Sequence, residues 1–302
     1  MPFVYNKAMD KNNKLKTVAC PILAAIIWGA AFAFQRKASA YLQAFTFNAA
    51  RSIMAFAVLG LIAFCRRKKE PVFPEQPRQK RRLWLGGFVC GVLLFVASNL
   101  QQMGLETTEA GKSGFITSLY IVLVPLFSVM LGKKVTGRLW TSIAIALAGL
   151  FLLCVSNGFR IEKSDFLILL CAIVYAWYII AVDIFIPGNN TFMFSCLQFF
   201  FCAVFSSVCM FLFEQPTWTA IGKCAADLLY VGVMSSAVAY TLQAIAQKAA
   251  GDAPTVTLLL SMESVCSVLF GAVMLGEFLS GRELIGCAVM LFAVILAQLP
   301  QK

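Results

Sequence analysis

The chain has 302 residues, of which 60% are hydrophobic and only 13% charged, whereas soluble domains average about 45–50% apolar and about 25% charged. One globular core stops growing near this length, so the composition excludes an ordinary soluble fold and makes lipid the solvent for most side chains. The net charge of +11 would suggest nucleic acid in a soluble protein. Here the basic residues sit in short connectors beside apolar runs, densest at Arg66–Lys69 and Arg78–Arg82, as in the cytoplasmic loops of membrane proteins, and no nucleic-acid partner is expected.

Apolar runs of spanning length predict ten transmembrane helices. Residues 1–16 form a lysine-rich cytoplasmic tail (Lys7, Lys11, Lys14, Lys16) ahead of span 1, Thr17–Phe34. Ala38-Ser39-Ala40 imitates a signal-peptide cleavage site, but the run is long and Arg36 and Lys37 intervene, so the helix is read as retained. Span 2 is Gln43–Cys65. The basic stretch 66–82 carries Pro71, Pro74 and Pro77 and reads as an extended cytoplasmic loop. Span 3, Leu83–Gln101, contains Gly87-x-x-x-Gly91, a pattern that allows close helix contact.

The connector Glu106-Thr-Thr-Glu-Ala-Gly-Lys112-Ser113 ends like a phosphate-binding loop. It lacks the first glycine and joins two spans, so ATP is not expected there, and Lys112 reads either as a residue at the outer mouth of a pathway or, more plainly, as a snorkelling lysine. Span 4, Ala110–Leu131, holds Pro125, which removes a backbone bond and predicts a kink. Spans 5 and 6 are Leu139–Val155 and Asp165–Val182. The turn Pro187-Gly188-Asn189-Asn190 leads to span 7, Thr191–Phe213; its glycosylation pattern at Asn189 lies on an inward-facing turn. Span 8, Ala226–Ile245, is followed by Gly251-Asp252-Ala253-Pro254, with proline in the first turn of the next helix. Spans 9 and 10 are Ala253–Leu275 and Leu284–Leu299. No loop is long enough for a soluble domain.

Of the 11 cysteines, Cys90, Cys154, Cys171, Cys196, Cys202, Cys209, Cys266 and Cys287 lie inside these runs. There is no C-x-x-C pair and no histidine, so they read as small hydrophobes and neither zinc nor a disulfide framework is expected. Lys and Arg fall mainly on the side that holds the amino terminus, which makes that side cytoplasmic. Ten spans return the carboxyl terminus to the same side.

The halves match at a spacing of about 142–147 residues: Leu100-Gln101 with Leu242-Gln243, Ser118-Leu119-Tyr120 with Ser261-Met262-Glu263, Gly137-Arg138 with Gly281-Arg282, and Ala25-Ile26-Ile27-Trp28 with Ala172-Ile173-Val174-Tyr175. Five spans per half is an odd number, so the copies at 17–155 and 165–299 have opposite orientation. The predicted fold is therefore an all-α membrane protein of ten transmembrane helices in two inverted five-helix repeats, with both termini cytoplasmic, an arrangement characteristic of secondary transporters.

Gly114-Phe-Ile-Thr-Ser-Leu-Tyr-Ile-Val-Leu-Val-Pro125, Leu260-Ser-Met-Glu-Ser-Val-Cys-Ser-Val-Leu-Phe-Gly-Ala-Val-Met-Leu-Gly-Glu277 and Trp28-Gly29 carry a resemblance to the ten-helix EamA-type members of the drug/metabolite transporter superfamily. It covers nearly the whole chain as two copies of the repeat. The resemblance implies movement of amino acids, sugars, nucleotides or drugs, and it places Glu263 at the family's span 9 glutamate. The family often has proline after that glutamate; Ser264 stands there, which leaves the kink expected at that point open.

A charged side chain inside a bilayer costs roughly 2.5–3.5 kcal/mol on insertion scales. Arg51 and Glu263 both fall near mid-membrane at 1.5 Å per residue. They either face a polar cavity and bind substrate or a coupling proton, or neutralise each other to hold helices together. Tyr240 and Gln243, with Ser236 and Gln247, are predicted on one face of span 8. Asn99 and Gln102, with Ser98 and Gln101, are the candidates in span 3, and Tyr120 in span 4. Trp28 and Trp177, beside Tyr175 and Tyr178, could stack on substrate, although packing is the commoner role of such residues.

The expected function is a secondary transporter of a small metabolite, an amino acid or a drug-like solute, working by alternating access in the cell (cytoplasmic) membrane without a bound cofactor. Its expected partners are the small-molecule substrate, membrane lipid and coupling protons. A passive channel or lipid scramblase is the alternative. A membrane-embedded lipid-modifying enzyme is disfavoured, because no nucleophile, base or metal-ligand cluster is gathered at one depth.

Overall fold

A computed structural model describes residues 11–68, 71–154, 162–276 and 280–298. The start of the tail (including Lys7), Lys69, Val155, Glu277 and Leu299 lie outside the described residues. Within them the chain is helical and has no strand. Eight helices are long and apolar enough to cross a membrane, and two shorter apolar helices cover Gly137–Leu152 and Leu284–Ala297. This is the build of an integral membrane protein.

In chain order the helices are α1 (Lys11–Ala38), α2 (Ala44–Arg66), α3 (Pro77–Leu105), α4 (Ala110–Ser118), α5 (Tyr120–Met130), α6 (Gly137–Cys154), α7 (Lys163–Phe185) and α8 (Thr191–Phe213). The short α9 (Trp218–Lys223) and α10 (Ala225–Leu229) lead into a π-helical segment (Tyr230–Ala239). Then follow α11 (Tyr240–Ala250), α12 (Ala253–Leu260), α13 (Met262–Leu275) and α14 (Gly281–Gln298).

Local chemistry fixes the ends. Pro77 occupies the first turn of α3, where its missing N–H is not needed, so Arg78–Arg82 belong to a helix and the extended connector is shorter than the 66–82 predicted. Glu162 and Asp165 form a reciprocal capping box on α7. The Asn190 side chain accepts from Met193 N at 3.1 Å and caps α8. Gly251 (φ +62°) and Gly276 (φ +71°) end α11 and α13 in the left-handed conformation that favours glycine.

Contacts between helix termini sort into two ends of the bundle. At one, Arg36 donates to the carbonyls of Leu105 and Glu106. Glu214 there accepts from Phe45 N, Thr46 N and the Thr46 hydroxyl at 2.8, 2.6 and 2.6 Å. Lys112 pairs with Asp165 at 2.6 Å. At the other, Lys133 pairs with Asp183, Lys248 donates to Asn189 O at 2.7 Å, and Arg82 donates to Ile184 O. The broken helix α4–α5 is thus tied to α7 at both ends.

Glycines set the closest helix crossings. A Cβ on Gly87 would lie 2.6 Å from Leu197 Cβ, and one on Gly91 2.6 Å from Phe201 Cβ, so α3 and α8 touch backbone to side-chain base. Gly29 brings α1 against Cys266 of α13, and Gly149 brings α6 against Met290 of α14.

Candidate functional site

Two breaks and one change of helical period shape the middle of the bundle. The fourth predicted span is interrupted at Leu119 and the ninth at Ser261, so the helical pattern of the ninth breaks before Glu263 although Ser264, not proline, follows that glutamate. The eighth contains a ten-residue π segment, a geometry that is rare at this length and concentrated at functional sites. Trp28 Nε1 donates to the Ser235 carbonyl of that segment at 3.1 Å. These irregularities border a narrow cavity of about 40 Å³ lined by residues of α1, α2, α3, α4, α5, α7, the π segment, α11 and α13.

Arg51 and Glu263 both line it, 2% and 4% exposed. No ion pair joins them among the described residues. Arg51 Nη1 donates to Gln35 Oε1 at 3.0 Å, and its Nε has no partner. Glu263 Oε1 accepts from the Ser118 hydroxyl at 3.5 Å, at the edge of hydrogen-bond range. The Tyr120 hydroxyl, facing the same carboxylate, makes no hydrogen bond of regular geometry. A buried guanidinium and a buried carboxylate therefore share one cavity without neutralising each other, at the cost that buried unpaired charge carries.

The walls between them are aromatic and amide. Tyr240 donates to the Tyr175 hydroxyl at 3.1 Å and meets the Trp28 ring edge-on, with centroids 4.8 Å apart. Tyr178 donates to Gln198 Oε1 at 3.0 Å and packs edge-on against Tyr240. Gln101 donates to the Thr117 hydroxyl at 3.2 Å. Gln243 donates to Gln247 Oε1 at 3.0 Å, and Gln247 to Ile179 O at 2.8 Å, leaving Gln243 Oε1 without a partner.

Of the residues singled out in the sequence, Glu263, Arg51, Tyr240, Gln243, Trp28 and Tyr120 come together at this cavity. Three do not. Trp177 points away, 40% exposed and stacked on Phe127 at 4.6 Å, because it lies two residues from Tyr175, on another face of α7. Asn99 is spent on Asn48, the Phe95 carbonyl and Ser206, an interhelical polar contact. Gln102 sits behind the wall and donates to Gln35 O at 3.2 Å.

Ser236 yields its place to Ser235. In a π segment residues five apart align, so Ser235 shares the face of Tyr240 where an α-helical period selects Ser236. Gln35 and Phe32 also line the cavity; Phe32 had no sequence signal beyond lying in the first apolar run, and Gln35 fell one residue past the predicted end of that run. Among the described residues no group of three or more His, Cys, Asp or Glu could hold a metal ion.

The chain matches the EamA-like transporter family twice, at residues 15–155 and 162–299. A protein of Archaeoglobus fulgidus named an "uncharacterized transporter" is 28% identical over 282 residues, 92% of this chain and 84% of its own. One crystal structure of a protein superposes with a TM-score of 0.76 at 21% identity, over 93% of this chain and 96% of that one, which shows a common fold. With two matches that together take in nearly its whole length, the chain belongs to the EamA-like transporter family, within the drug/metabolite transporter superfamily, and is an integral membrane transporter.

Proposed function

We propose that this chain is a secondary carrier of a small metabolite, of amino-acid or drug-like size, that works by alternating access of two inverted five-helix halves. The observation that carries the reading is the cavity, where Arg51 from the first half and Glu263 from the second remain uncompensated among aromatic walls. Unpaired buried charge is retained where a ligand completes it.

The architecture supports ten crossings. The 18-residue α6 and α14 reach about 27 Å at 1.5 Å per residue, close to the roughly 30 Å of hydrocarbon. Packing also repeats between the halves: α2 lies on α8 and α6 on α14, α3 on α7 as α1 on α11, and α1 on α13 as α7 on α4–α5. Each contact has a partner when the two halves are exchanged, as inverted repeats require. The breaks at Leu119 and Ser261 occupy matching places in the repeat. With ten crossings both termini lie on the cytoplasmic side of the cell membrane, where the basic connectors keep them, and Glu263 is the group placed to couple a proton.

Vesicles reconstituted with the protein test the reading. A carrier gives saturable uptake that is accelerated by solute preloaded on the far side, whereas a channel gives flux linear in concentration without that acceleration.

A further inference from the structure

Gln35 holds the cavity's guanidinium without neutralising it. Its side-chain oxygen accepts the only hydrogen bond from the Arg51 side chain among the described residues, at 3.0 Å, while its main-chain oxygen accepts from Gln102 at 3.2 Å. Gln35 is 3% exposed and lines the cavity itself, so the geometry around Arg51 is fixed from behind.

A carboxylate at this position would hold Arg51 equally well, by a stronger charge-assisted bond, and would cancel its charge. An amide holds it and leaves the charge available. Glu263, on the same lining, has the long contact from Ser118 and faces the Tyr120 hydroxyl, so the cavity presents one basic and one acidic group, neither paired with the other.

We infer that Gln35 is a specificity-determining residue that sets the charge class of the cargo: by positioning Arg51 uncompensated in the cavity that Glu263 also lines, it selects solutes that carry one anionic and one cationic group. This rests on the carrier reading only in calling the ligand cargo; the charge preference belongs to the cavity. A singly charged solute leaves one wall charge unsatisfied in a buried site, at the cost of a lost charge-assisted hydrogen bond, about 10- to 100-fold in affinity.

The test is binding to purified protein of matched triplets built on the leucine, methionine and phenylalanine skeletons: the zwitterionic amino acid, its amide (a monocation) and its deaminated acid (a monoanion). In the wild type a zwitterion binds about 10- to 100-fold more tightly than its amide and its acid. Gln35→Glu pairs Arg51 internally and leaves Glu263 as the only group free to meet a charged ligand, so the order reverses and the amide binds more tightly. Gln35→Leu removes the acceptor but not the positive charge, so it weakens zwitterion binding and keeps the wild-type order. A purely structural Gln35 would weaken all three ligands alike in both variants.

An amide or acid that matches its zwitterion in the wild type, a Gln35→Glu protein that keeps the zwitterion preference, or triplets in which no zwitterion binds would each overturn the inference. Flux measurements on the same proteins separate it from the carrier reading. Saturable counterflow of a singly charged solute would sink the charge rule and leave the carrier standing. Linear, non-saturable flux of a tightly bound zwitterion would do the opposite.

Discussion

Substitution of Gly29 probes the crossing of α1 and α13, which holds Trp28 and Glu263 in one cavity. An alanine Cβ there would lie 2.2 Å from Cys266 Cβ, 2.8 Å from Cys266 C and 2.9 Å from Ser267 N. Carbon atoms pack at about 3.5–4.0 Å, so α1 must recede by roughly 1.5 Å, and because two of the three atoms are backbone no rotamer change relieves the clash. Overpacking typically costs about 1–3 kcal/mol, and this site falls at the upper end. With about 2 °C per kcal/mol at such chain lengths, Gly29→Ala should unfold about 4–6 °C below wild type, measured by intrinsic tryptophan fluorescence in detergent. Cys266→Gly added to Gly29→Ala should recover part of the loss, since one of the three contacts disappears while the backbone atoms remain. Gly137 has nothing within 4 Å of its added Cβ, so Gly137→Ala should stay within about 0.5 kcal/mol of wild type. If Gly29→Ala melts together with Gly137→Ala, the two helices do not cross as described.

Glu214→Gln should cost about 1–2 kcal/mol, because a charged cap serving two backbone N–H groups and a hydroxyl at the start of α2 becomes a neutral one; an unchanged melting temperature would contradict that role. Asp165→Asn should cost about 1–3 kcal/mol, since it breaks the Lys112 pair and disturbs the cap on α7, and limited proteolysis should then cut the α3–α4 connector faster. Burial, and secondarily the charge of Glu214, hold the Glu106 carboxyl above the ordinary glutamate range. The folded state therefore favours the protonated form, and the stability tied to Glu106 is greatest below about pH 4.3 and falls as pH rises through the raised pKa. Glu106→Gln should exceed the wild-type melting temperature at pH 7 and converge with it near pH 4; a gap that does not change with pH would refute this.

Hydropathy made the membrane architecture legible, because twenty apolar residues in a row have few other uses. The two mid-membrane charges were legible for the complementary reason, that Arg51 and Glu263 are conspicuous where charge is expensive. What escaped was geometry that depends on departures from the α-helical period. Ser235 replaced Ser236 because the helix widens to a π form, which no local residue type announces. The breaks at Leu119 and Ser261 likewise carry neither proline nor glycine at the break, while Pro125, the visible helix breaker, sits inside an unbroken α5. Trp177 and Asn99 show the other loss: a residue's rotation about its helix decides between cavity, lipid and neighbouring helix, and a helix polar or apolar on most faces leaves that rotation unmarked. Gln35 was hidden by position, one amide just past the predicted end of span 1 and beside the basic pair Arg36 and Lys37.

Counterflow across vesicle membranes by the Glu263→Gln protein addresses the central claim most directly, because the change keeps the side chain's shape and removes the one acid on the cavity wall. The account predicts a wild-type melting temperature together with loss of accelerated exchange. Exchange at the wild-type rate and with the wild-type pH profile would show that cargo crosses without engaging the paired walls of this cavity.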